Sequence, residues 1–312
     1  MNVLFVCSII SLILYAILYD WTYIFLFSLV FGGYLAIGKQ VVPFSASKFN
    51  NMRRKLGIAT WSDPDSPECH GHMKVKMENA QRFIEDFFQK NGKKLTITQI
   101  TLKAVADALS HNPDMTGKIA FGCYVPFETV DISCLVSLEG GKDLSFINVS
   151  EADKKSLVEI WNESQSKLDS IRAGDALKMH KKASNPFKLL PSAIGGILMD
   201  ISSFIAIPLG LDLPMWGLKK HPLGSMVITN VGSGGFQIGY APFPSILRVP
   251  GVLALSSIRD EARVEDGKIV IVPTLTILFT LDHRFGDGTR ALKVINSVKH
   301  KLEHPHDSFS LD

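Results

Sequence analysis

The sequence of 312 residues is long enough for one large domain or two small ones, and its hydrophobic content of 46% permits a sizeable core. A net charge of +3, without a basic stripe interleaved with aromatic residues, argues against a nucleic-acid partner. The four cysteines are scattered along the chain, which predicts reduced thiols and no disulfide framework.

The N-terminal 38 residues are almost entirely apolar, and Asp20 is the one charged side chain between positions 2 and 38. The two halves, residues 2–19 and 21–38, would each extend about 27 Å as a helix, close to the ~30 Å of a hydrocarbon core. Because one continuous helix would be too long, we predict a transmembrane helical hairpin over residues 1–38. A cleaved signal peptide is the alternative, disfavoured by the apolar length and the absence of a basic n-region.

Basic residues follow the second apolar half, namely Lys39 and the cluster Arg53, Arg54 and Lys55. Positively charged residues next to a span favour the inner side of the membrane. We therefore predict an integral membrane protein whose domain over residues 39–312 lies on the cytoplasmic or equivalent inner side.

The remaining sequence predicts helices and strands that are mixed without strict alternation, as in an α+β fold with a largely mixed sheet. Asp-Gly at positions 266 and 267 predicts a hairpin between the last two strands. In chain order we expect helices over 45–58, 80–90, 98–109, 150–172 and from 289, and strands over 70–77, 118–125, 129–138, 144–149, 224–231, 245–258, 262–265 and 268–281.

The stretch Cys69-His70-Gly71-His72 has the residue types of a metal cluster. Its ligands are crowded, however, and no second cluster lies at zinc-site spacing. We interpret this stretch as a β-strand with two polar residues on one face, and we predict no metal site.

A second apolar block, residues 187–218, is interrupted by three prolines, four glycines, Asp200 and Asp212. These interruptions argue against a clean membrane span. Lysines flank both ends, and a broken apolar segment with basic ends suits a helix pair in the headgroup region. We therefore predict a membrane-associated insertion over residues 183–220, with a buried helical insertion in the core as the alternative.

Near the C-terminus, a strand-like run ends at Asp282-His283, and Asp287-Gly288 precedes a helix-like segment. Side chains at strand ends that face a loop are held rigidly and still meet a ligand. This position makes His283 a candidate functional residue.

Several short elements resemble, in their order, the catalytic domain of dihydrolipoamide acyltransferases. These enzymes are the core subunits of 2-oxo-acid dehydrogenase complexes, and they share the fold of chloramphenicol acetyltransferase. The resemblance covers about residue 45 to the end, apart from the insertion, and implies an α+β mixed sheet with flanking helices. The elements are Met52-Arg53-Arg54-Lys55, Lys103-Ala104, Val130-Asp131-Ile132, Ile228-Thr229-Asn230-Val231-Gly232, and Asp282-His283-Arg284 with Asp287-Gly288.

The resemblance implies acyl transfer with coenzyme A as a substrate. His283 would take the proton from the attacking thiol, a role that suits an imidazole near neutral pH. The hydroxyl of Thr229 matches the family's serine or threonine that donates to the oxyanion of the tetrahedral intermediate. In the family these two groups face each other across the interface of a trimer, which implies a homotrimer or a larger assembly.

Three further residues receive roles through the same resemblance. Asp287 is expected to hold the active-site loop, paired with an arginine such as Arg53 or Arg54. Gly288 is expected to permit the turn, and Asn230 to belong to the turn beside the oxyanion donor.

The sequence also departs from the family's usual enzymes. Membrane segments stand where lipoyl and subunit-binding domains are usual, and no lipoyl-type Asp-Lys-Ala turn occurs, so we expect no covalently bound lipoyl group. The insertion is foreign to the usual enzymes. In the C-terminal tail, Phe309 and Leu311 are the two residues that could serve as the family's apolar anchor between trimers.

These observations predict a membrane-anchored, coenzyme A-dependent acyltransferase with membrane lipids as neighbours and an acceptor that the second apolar block suggests is lipid-like. The alternative from another class is a catalytically silent trimeric membrane scaffold with the same fold. The combination of His283, Thr229 and Asp287 favours the enzyme. A standard pyruvate dehydrogenase core is disfavoured by the missing lipoyl domain.

Overall fold

The N-terminal region of the computed structural model contains one long helix. This helix, α1 (Trp21–Val41), begins after Asp20, whose carboxylate accepts a hydrogen bond from the amide of Thr22 at 2.9 Å. Within the described ranges α1 is the one helix long and apolar enough to cross a membrane, and none of its residues is buried. Most of the first predicted span lies outside the described residues, so the two-helix hairpin stays a prediction.

The structure describes residues 12–15, 17–18, 20–50, 68–138, 143–173, 200–213, 220–241 and 248–312.

The rest of the described chain is built around one mixed β-sheet. Its strands, together with a separate short pair, are β1 (Glu68–Lys76), β2 (Gly117–Ala120), β3 (Cys123–Pro126), β4 (Ile132–Leu138), β5 (Asp143–Val149), β6 (Met226–Asn230), β7 (Gly251–Leu255), β8 (Arg259–Glu265) and β9 (Lys268–Asp282). The main sheet has the order β1-β9-β7-β6-β4-β5, and β8 pairs with β9. Strands β4, β6 and β7 run parallel, whereas the other pairs are antiparallel. This arrangement confirms the predicted α+β fold with a mixed sheet.

Helices cover one face of this sheet. They are α2 (Glu78–Asn91), α3 (Ile97–Ser110), α4 (Leu157–Arg172), α5 (Gly288–Glu303) and α6 (Pro305–Ser308). The main hydrophobic core lies between this layer and alternate strand residues, such as Ile228 and Ile277. Side chains of opposite parity, such as Val227, point to the other face, because successive residues of a strand alternate. Full burial of one such side chain stabilises the fold by roughly 1.5–3 kcal/mol.

Helix α4 begins later than the sequence pattern predicts. Its N-cap is Ser156, and Ser156 and Glu159 form a capping box through hydrogen bonds of 3.2 and 2.8 Å. The predicted helix start at residue 150 was wrong, because residues 150–155 precede the helix and Glu151 has a left-handed backbone with φ of 47°.

Two predicted elements have different forms in the structure. The single strand predicted over 118–125 is the two-stranded hairpin of β2 and β3, which pair antiparallel outside the main sheet. Phe121 and Gly122 form its turn with positive φ values of 50° and 74°, the geometry of a tight hairpin turn. The helix predicted over 45–58 is a 3-10 helix at Phe44–Phe49, and its later part lies outside the described residues.

Of the predicted insertion, residues 200–213 and 220 are described, and 200–206 are helical. Ser203 and Ala206 are buried, whereas Ile201 and Phe204 are exposed. This segment therefore packs one face on the protein and leaves an apolar face uncovered, so it combines features of both interpretations of the insertion.

The C-terminal tail packs on its own chain. The ring of Phe309 is buried 6.2 Å from that of Phe83 in α2, and Leu311 packs against the main core. The side chain of Asn91 donates a hydrogen bond of 2.7 Å to the carbonyl of Leu311. Both apolar residues that could anchor one trimer to another are therefore engaged within the chain.

Candidate active site

The candidate histidine lies in a tight turn directly after β9. The end of β9 is paired with β1 on one side and β7 on the other. The amide of Asp282 donates to the carbonyl of Pro250 at 3.0 Å, and the amide of Phe285 donates to the carbonyl of Asp282 at 3.0 Å. These hydrogen bonds fix the backbone before and after His283. The residue itself is half-buried.

An ion pair flanks the histidine. The guanidinium of Arg284 contacts the carboxylate of Asp282 through Nε–Oδ2 at 3.0 Å and Nη2–Oδ2 at 2.7 Å. The Arg284 amide also donates to Asp282 Oδ1 at 2.9 Å. These side chains are only 13% and 7% exposed, so the pair is well shielded from water. Sequence reasoning assigned no role to this pair, although opposite charges on either side of a candidate histidine are a usable signal.

The residues after the histidine pack into the protein. The buried ring of Phe285 lies 6.0 Å from that of Tyr124 in β3, nearly edge-on at 86°. A side chain at Gly286 would collide with the sulfur of Met115. The turn is therefore anchored on the β2–β3 hairpin, and a side chain at 286 would require the thioether of Met115 to move.

Asp287 caps helix α5, since its carboxylate accepts a hydrogen bond of 3.1 Å from the amide of Arg290. The predicted pairing with Arg53 or Arg54 concerns residues outside the described ranges. The role of Gly288 in permitting the turn stays a prediction. Gly288 is the first residue of α5, its φ is not left-handed, and a Cβ there would meet no atom within 4 Å.

The candidate oxyanion donor, Thr229, lies near the C-terminal end of β6 on the sheet face opposite the helices. Asn230 forms the turn that follows, because its Oδ1 accepts from the amide of Ser233 at 3.1 Å. A side chain at Gly232 would collide with the backbone of Ser256. The backbone after Thr229 therefore approaches the neighbouring chain segment as closely as glycine allows.

The structure does not bring His283 and Thr229 together within one chain. Thr229 pairs with Ala254, and Ala254 pairs with Leu278, so Thr229 is level with a residue five positions before His283. This offset corresponds to roughly 16 Å along the strands and about 10 Å across them. The two groups therefore lie near opposite ends of the sheet, and a single chain cannot join them by a hydrogen bond.

The predicted strand around the Cys-His stretch is confirmed as β1. His70 and His72 lie on the same face; Nδ1 of His70 is 3.1 Å from the Thr280 hydroxyl, and Nδ1 of His72 is 3.2 Å from the Tyr240 hydroxyl. Within the described ranges, no group of three or more His, Cys, Asp or Glu side chains could hold a metal ion.

A buried basic pair lies beside the insertion. Burial, with the nearby charge of Lys220, lowers the pKa of Lys118 from 10.5 to about 8. Burial, with the charge of Lys118, also lowers the pKa of His221 from 6.5 to about 4. The ammonium of Lys118 donates to the carbonyl of Pro208 at 3.1 Å, and Nδ1 of His221 is buried without a hydrogen-bond partner among the described residues. This pair links the β2–β3 hairpin to the insertion.

Comparison with known families gives one extended match. The model of the 2-oxoacid dehydrogenase acyltransferase catalytic domain matches residues 43–182 and 221–310. The two matched parts contain every candidate site residue. The interruption between them falls on residues 183–220, where the sequence predicts the insertion.

Curated proteins similar to this chain include acetyltransferase components of pyruvate dehydrogenase complexes. The chain is 26% identical over 269 residues to the dihydrolipoyllysine-residue acetyltransferase component of the pyruvate dehydrogenase complex of Bacillus subtilis, covering 84% of this chain and 51% of that protein. The chain is 24% identical over 269 residues to the corresponding protein of Zymomonas mobilis, covering 84% of this chain and 51% of that protein. The chain therefore spans about half the length of the curated relatives it matches.

Solved structures show the same fold. A probable dihydrolipoamide acetyltransferase from Listeria monocytogenes aligns with a TM-score of 0.59 at 17% identity, covering 83% of this chain and 92% of that one. A dihydrolipoamide acetyltransferase from Azotobacter vinelandii aligns with a TM-score of 0.57 at 18% identity, covering 78% and 84%. That structure was determined to investigate the role of one serine, one histidine and one asparagine in the catalytic mechanism.

Proposed function

Because this chain belongs to the family of 2-oxoacid dehydrogenase acyltransferase catalytic domains, we propose that it transfers an acyl group between coenzyme A and a thiol or hydroxyl acceptor. His283 acts as the general base and Thr229 as the oxyanion donor. Helix α1 anchors the enzyme in a membrane, with the catalytic domain on the inner side. Its length of 21 residues and its uncovered apolar surface support this anchoring.

The proposed reaction is an acyl exchange at a thioester carbonyl. His283 takes the proton of the acceptor, and the resulting thiolate or alkoxide attacks the carbonyl carbon. The oxyanion of the tetrahedral intermediate accepts a hydrogen bond from Thr229, an interaction worth roughly 3 kcal/mol. Collapse of the intermediate breaks the carbon–sulfur bond, and the coenzyme A thiolate takes the proton back from the imidazolium.

The spacing of the candidate residues supports these roles. In the Azotobacter vinelandii protein, the histidine and asparagine under study lie four positions apart. His283 and Asp287 have the same spacing, and Asp287 caps the helix that follows the histidine turn. We therefore propose that Asp287 positions the turn that carries the base.

The observation that carries the proposal is the rigid His283 turn at one end of the sheet, with Thr229 near the other end. A reaction that needs both groups requires a second copy of the chain, so that the histidine of one copy faces the threonine of the next. Cyclic symmetry then gives as many equivalent sites as subunits. We propose a homotrimer as this unit.

The end of the β8–β9 ribbon supports a contact between copies. Val264 pairs with Ile269, and these two side chains together with Ile271 are exposed on one face of the ribbon. An apolar face of this kind on two paired strands is a surface that a neighbouring protein copy would cover.

Mixing two inactive variants tests the shared site. His283→Ala and Thr229→Val are co-expressed with different affinity tags, and mixed trimers are purified through both tags. Each variant alone should have little thioester exchange between acyl-coenzyme A and a small dithiol. In every mixed trimer one of the three interfaces combines the native His283 of one copy with the native Thr229 of the next, so the mixture should regain about one third of the wild-type rate.

Two other outcomes would contradict the proposal. A mixture no more active than its parents would show that the two residues do not act across copies. Full activity of His283→Ala would show that His283 is not the base, whereas a wild type without thioester exchange would favour the catalytically silent trimeric scaffold. As a control, each variant is co-expressed with a second copy of itself that carries the other tag. The activity of these doubly purified trimers gives the background rate.

A further inference from the structure

The turn of the β2–β3 hairpin connects the anchor helix to the insertion. The ring of Phe121 lies 5.2 Å from the ring of Tyr34 in α1, at an interplanar angle of 67°. On another side it lies 6.2 Å from the ring of Phe204, at 71°. Three aromatic side chains from separate parts of the chain therefore form one continuous contact.

The position of Tyr34 along α1 sets the depth of this contact. Tyr34 lies seven residues before Val41, the end of the helix, which corresponds to about 10 Å along the axis. Since the helix of 21 residues is about as long as a hydrocarbon core is thick, Tyr34 lies inside the apolar layer when α1 spans it. Phe121 and Phe204, packed against it, then lie at the edge of the same layer.

Other exposed apolar side chains occur in the same parts of the chain. Phe44, three residues after α1, is 93% exposed, and Ile201 and Leu211 of the insertion are about half exposed. The opposite side of the 200–206 helix is buried on the protein through Ser203 and Ala206. The described part of the insertion therefore leaves Ile201, Phe204 and Leu211 uncovered, and Phe204 lies near the anchor through Phe121.

We propose that Phe44, Phe121, Ile201, Phe204 and Leu211 form a membrane-contact surface that seats the catalytic domain on a phospholipid bilayer. This proposal rests on the proposed anchoring by α1. The continuous contact from Tyr34 through Phe121 to Phe204 favours the bilayer as the occupant, because the surface adjoins a spanning helix. Amphipathic segments bind the headgroup boundary through such apolar faces.

The membrane-contact surface also relates the bilayer to the catalytic turn. Tyr124 is the second residue of β3, and its pair with Ile119 is next to the pair of Ala120 and Cys123 that closes the turn. Its ring packs on Phe285, two residues after His283. The same hairpin therefore contributes Phe121 of its turn to the membrane-contact surface and contacts the catalytic turn through Tyr124 of β3.

Photo-crosslinking in proteoliposomes tests the proposal. The amino acid p-benzoylphenylalanine replaces Phe204 in the full chain, reconstituted into vesicles of phosphatidylcholine and phosphatidylglycerol. The matched control replaces Phe88 of α2, which is 46% exposed against 42% for Phe204. After irradiation, mass spectrometry should find several-fold more lipid adducts at position 204 than at position 88. Replacement of Phe44, which is almost fully exposed, repeats the test at a position where a packing defect is not expected.

Resistance to alkaline carbonate extraction reports anchoring separately. If the chain resists extraction, α1 anchors it as proposed. If positions 204 and 44 then give no excess of lipid adducts over position 88, the proposed membrane-contact surface is wrong. Adducts between copies of the chain in place of lipid adducts would assign the surface to a subunit interface and also overturn the proposal. If carbonate extracts the chain, the anchoring by α1 is itself wrong.

Discussion

At the residue scale, the geometry of the candidate base depends on the two charged side chains beside it. Asp282 and Arg284 neutralise each other in a nearly buried fork, and the amide of Arg284 also binds the same carboxylate. A fork of this kind restricts the turn because both planar groups must stay aligned. The pair thereby holds His283 in position without touching the substrate in the proposed mechanism.

Replacing Arg284 with methionine should show the size of this effect. The substitution removes the guanidinium that pairs with Asp282, whose carboxylate stays shielded from water. An unpaired, nearly buried carboxylate costs about 3 kcal/mol of stability. We expect a lower melting temperature and a lower kcat, with a smaller change in KM. Arg290→Met is the matched control, since Arg290 pairs with Asp114 at 25% and 29% exposure and should cost less. Equal melting temperatures for the two variants would contradict the structural role of the fork.

Replacing Thr229 with valine keeps the shape of the side chain and removes its hydroxyl. If the hydroxyl stabilises the oxyanion, kcat should fall by about 10²-fold while KM changes little. Thr229→Ser keeps the donor and should retain most of the rate. Steady-state thioester exchange measures both variants. A change confined to KM, or an equal loss in the serine variant, would show that Thr229 acts in binding or packing.

At the element scale, the β2–β3 hairpin joins the catalytic turn, the anchor and the insertion. The sequence pattern predicts one strand here, but the left-handed backbone of Phe121 and Gly122 divides it into two. Lys118 on β2 reaches the insertion through the carbonyl of Pro208, and His221 lies beside it. The ionisation of this buried pair therefore affects how firmly the insertion is held.

The depressed pKa of His221 predicts a pH dependence of stability. In the unfolded chain the imidazole binds a proton below about pH 6.5, whereas in the folded chain its pKa is about 4. Stability is therefore fully present above pH 6.5 and is lost as the pH falls toward 4. His221→Leu should remove this pH-dependent loss of stability. The melting temperature of the variant should therefore fall less between pH 7.5 and 5 than that of the wild type. Parallel profiles would show that His221 is solvated in the folded protein. Replacing the exposed His306 is the control.

At the scale of the whole molecule, the packing of the C-terminal tail bears on how the proposed trimers would join. Phe309 and Leu311 pack on their own chain, and Lys90 forms a salt bridge with Asp312 at the end of the tail. A tail held in this way is not offered to a neighbouring trimer. A protein of the same fold forms the cubic core of a pyruvate dehydrogenase complex, and we expect this chain not to assemble beyond the proposed trimer.

Native mass spectrometry of the detergent-solubilised protein measures the assembly. With chains of 34.4 kDa, we expect a particle of about 103 kDa, the mass of three copies. Phe309→Asp should lower the melting temperature of this particle, because the ring is buried in the chain's own core. A dominant species several times heavier than a trimer would contradict the role assigned to the tail.

Much of the fold follows from local sequence, because its signals act within a few residues. Asp266-Gly267 makes the predicted hairpin turn between β8 and β9, and α3, predicted over 98–109, is capped by its neighbours Thr96 and Gln99. The strand that ends at His283 is also predicted, since an apolar run stops there. Local signals fail where two competing signals are adjacent, as at Ser150 and Ser156, where the choice depends on the turn at Glu151.

The sequence by itself determined the α+β class, the family and His283 as the candidate base, because residue order and strand periodicity carry this information. The tertiary structure decided what depends on register and close approach. It paired Asp282 with Arg284, packed Gly286 against Met115, and placed Thr229 far from His283 within the chain. Such relations arise between segments distant in sequence, where the distance between two side chains is set by how the strands align and pack.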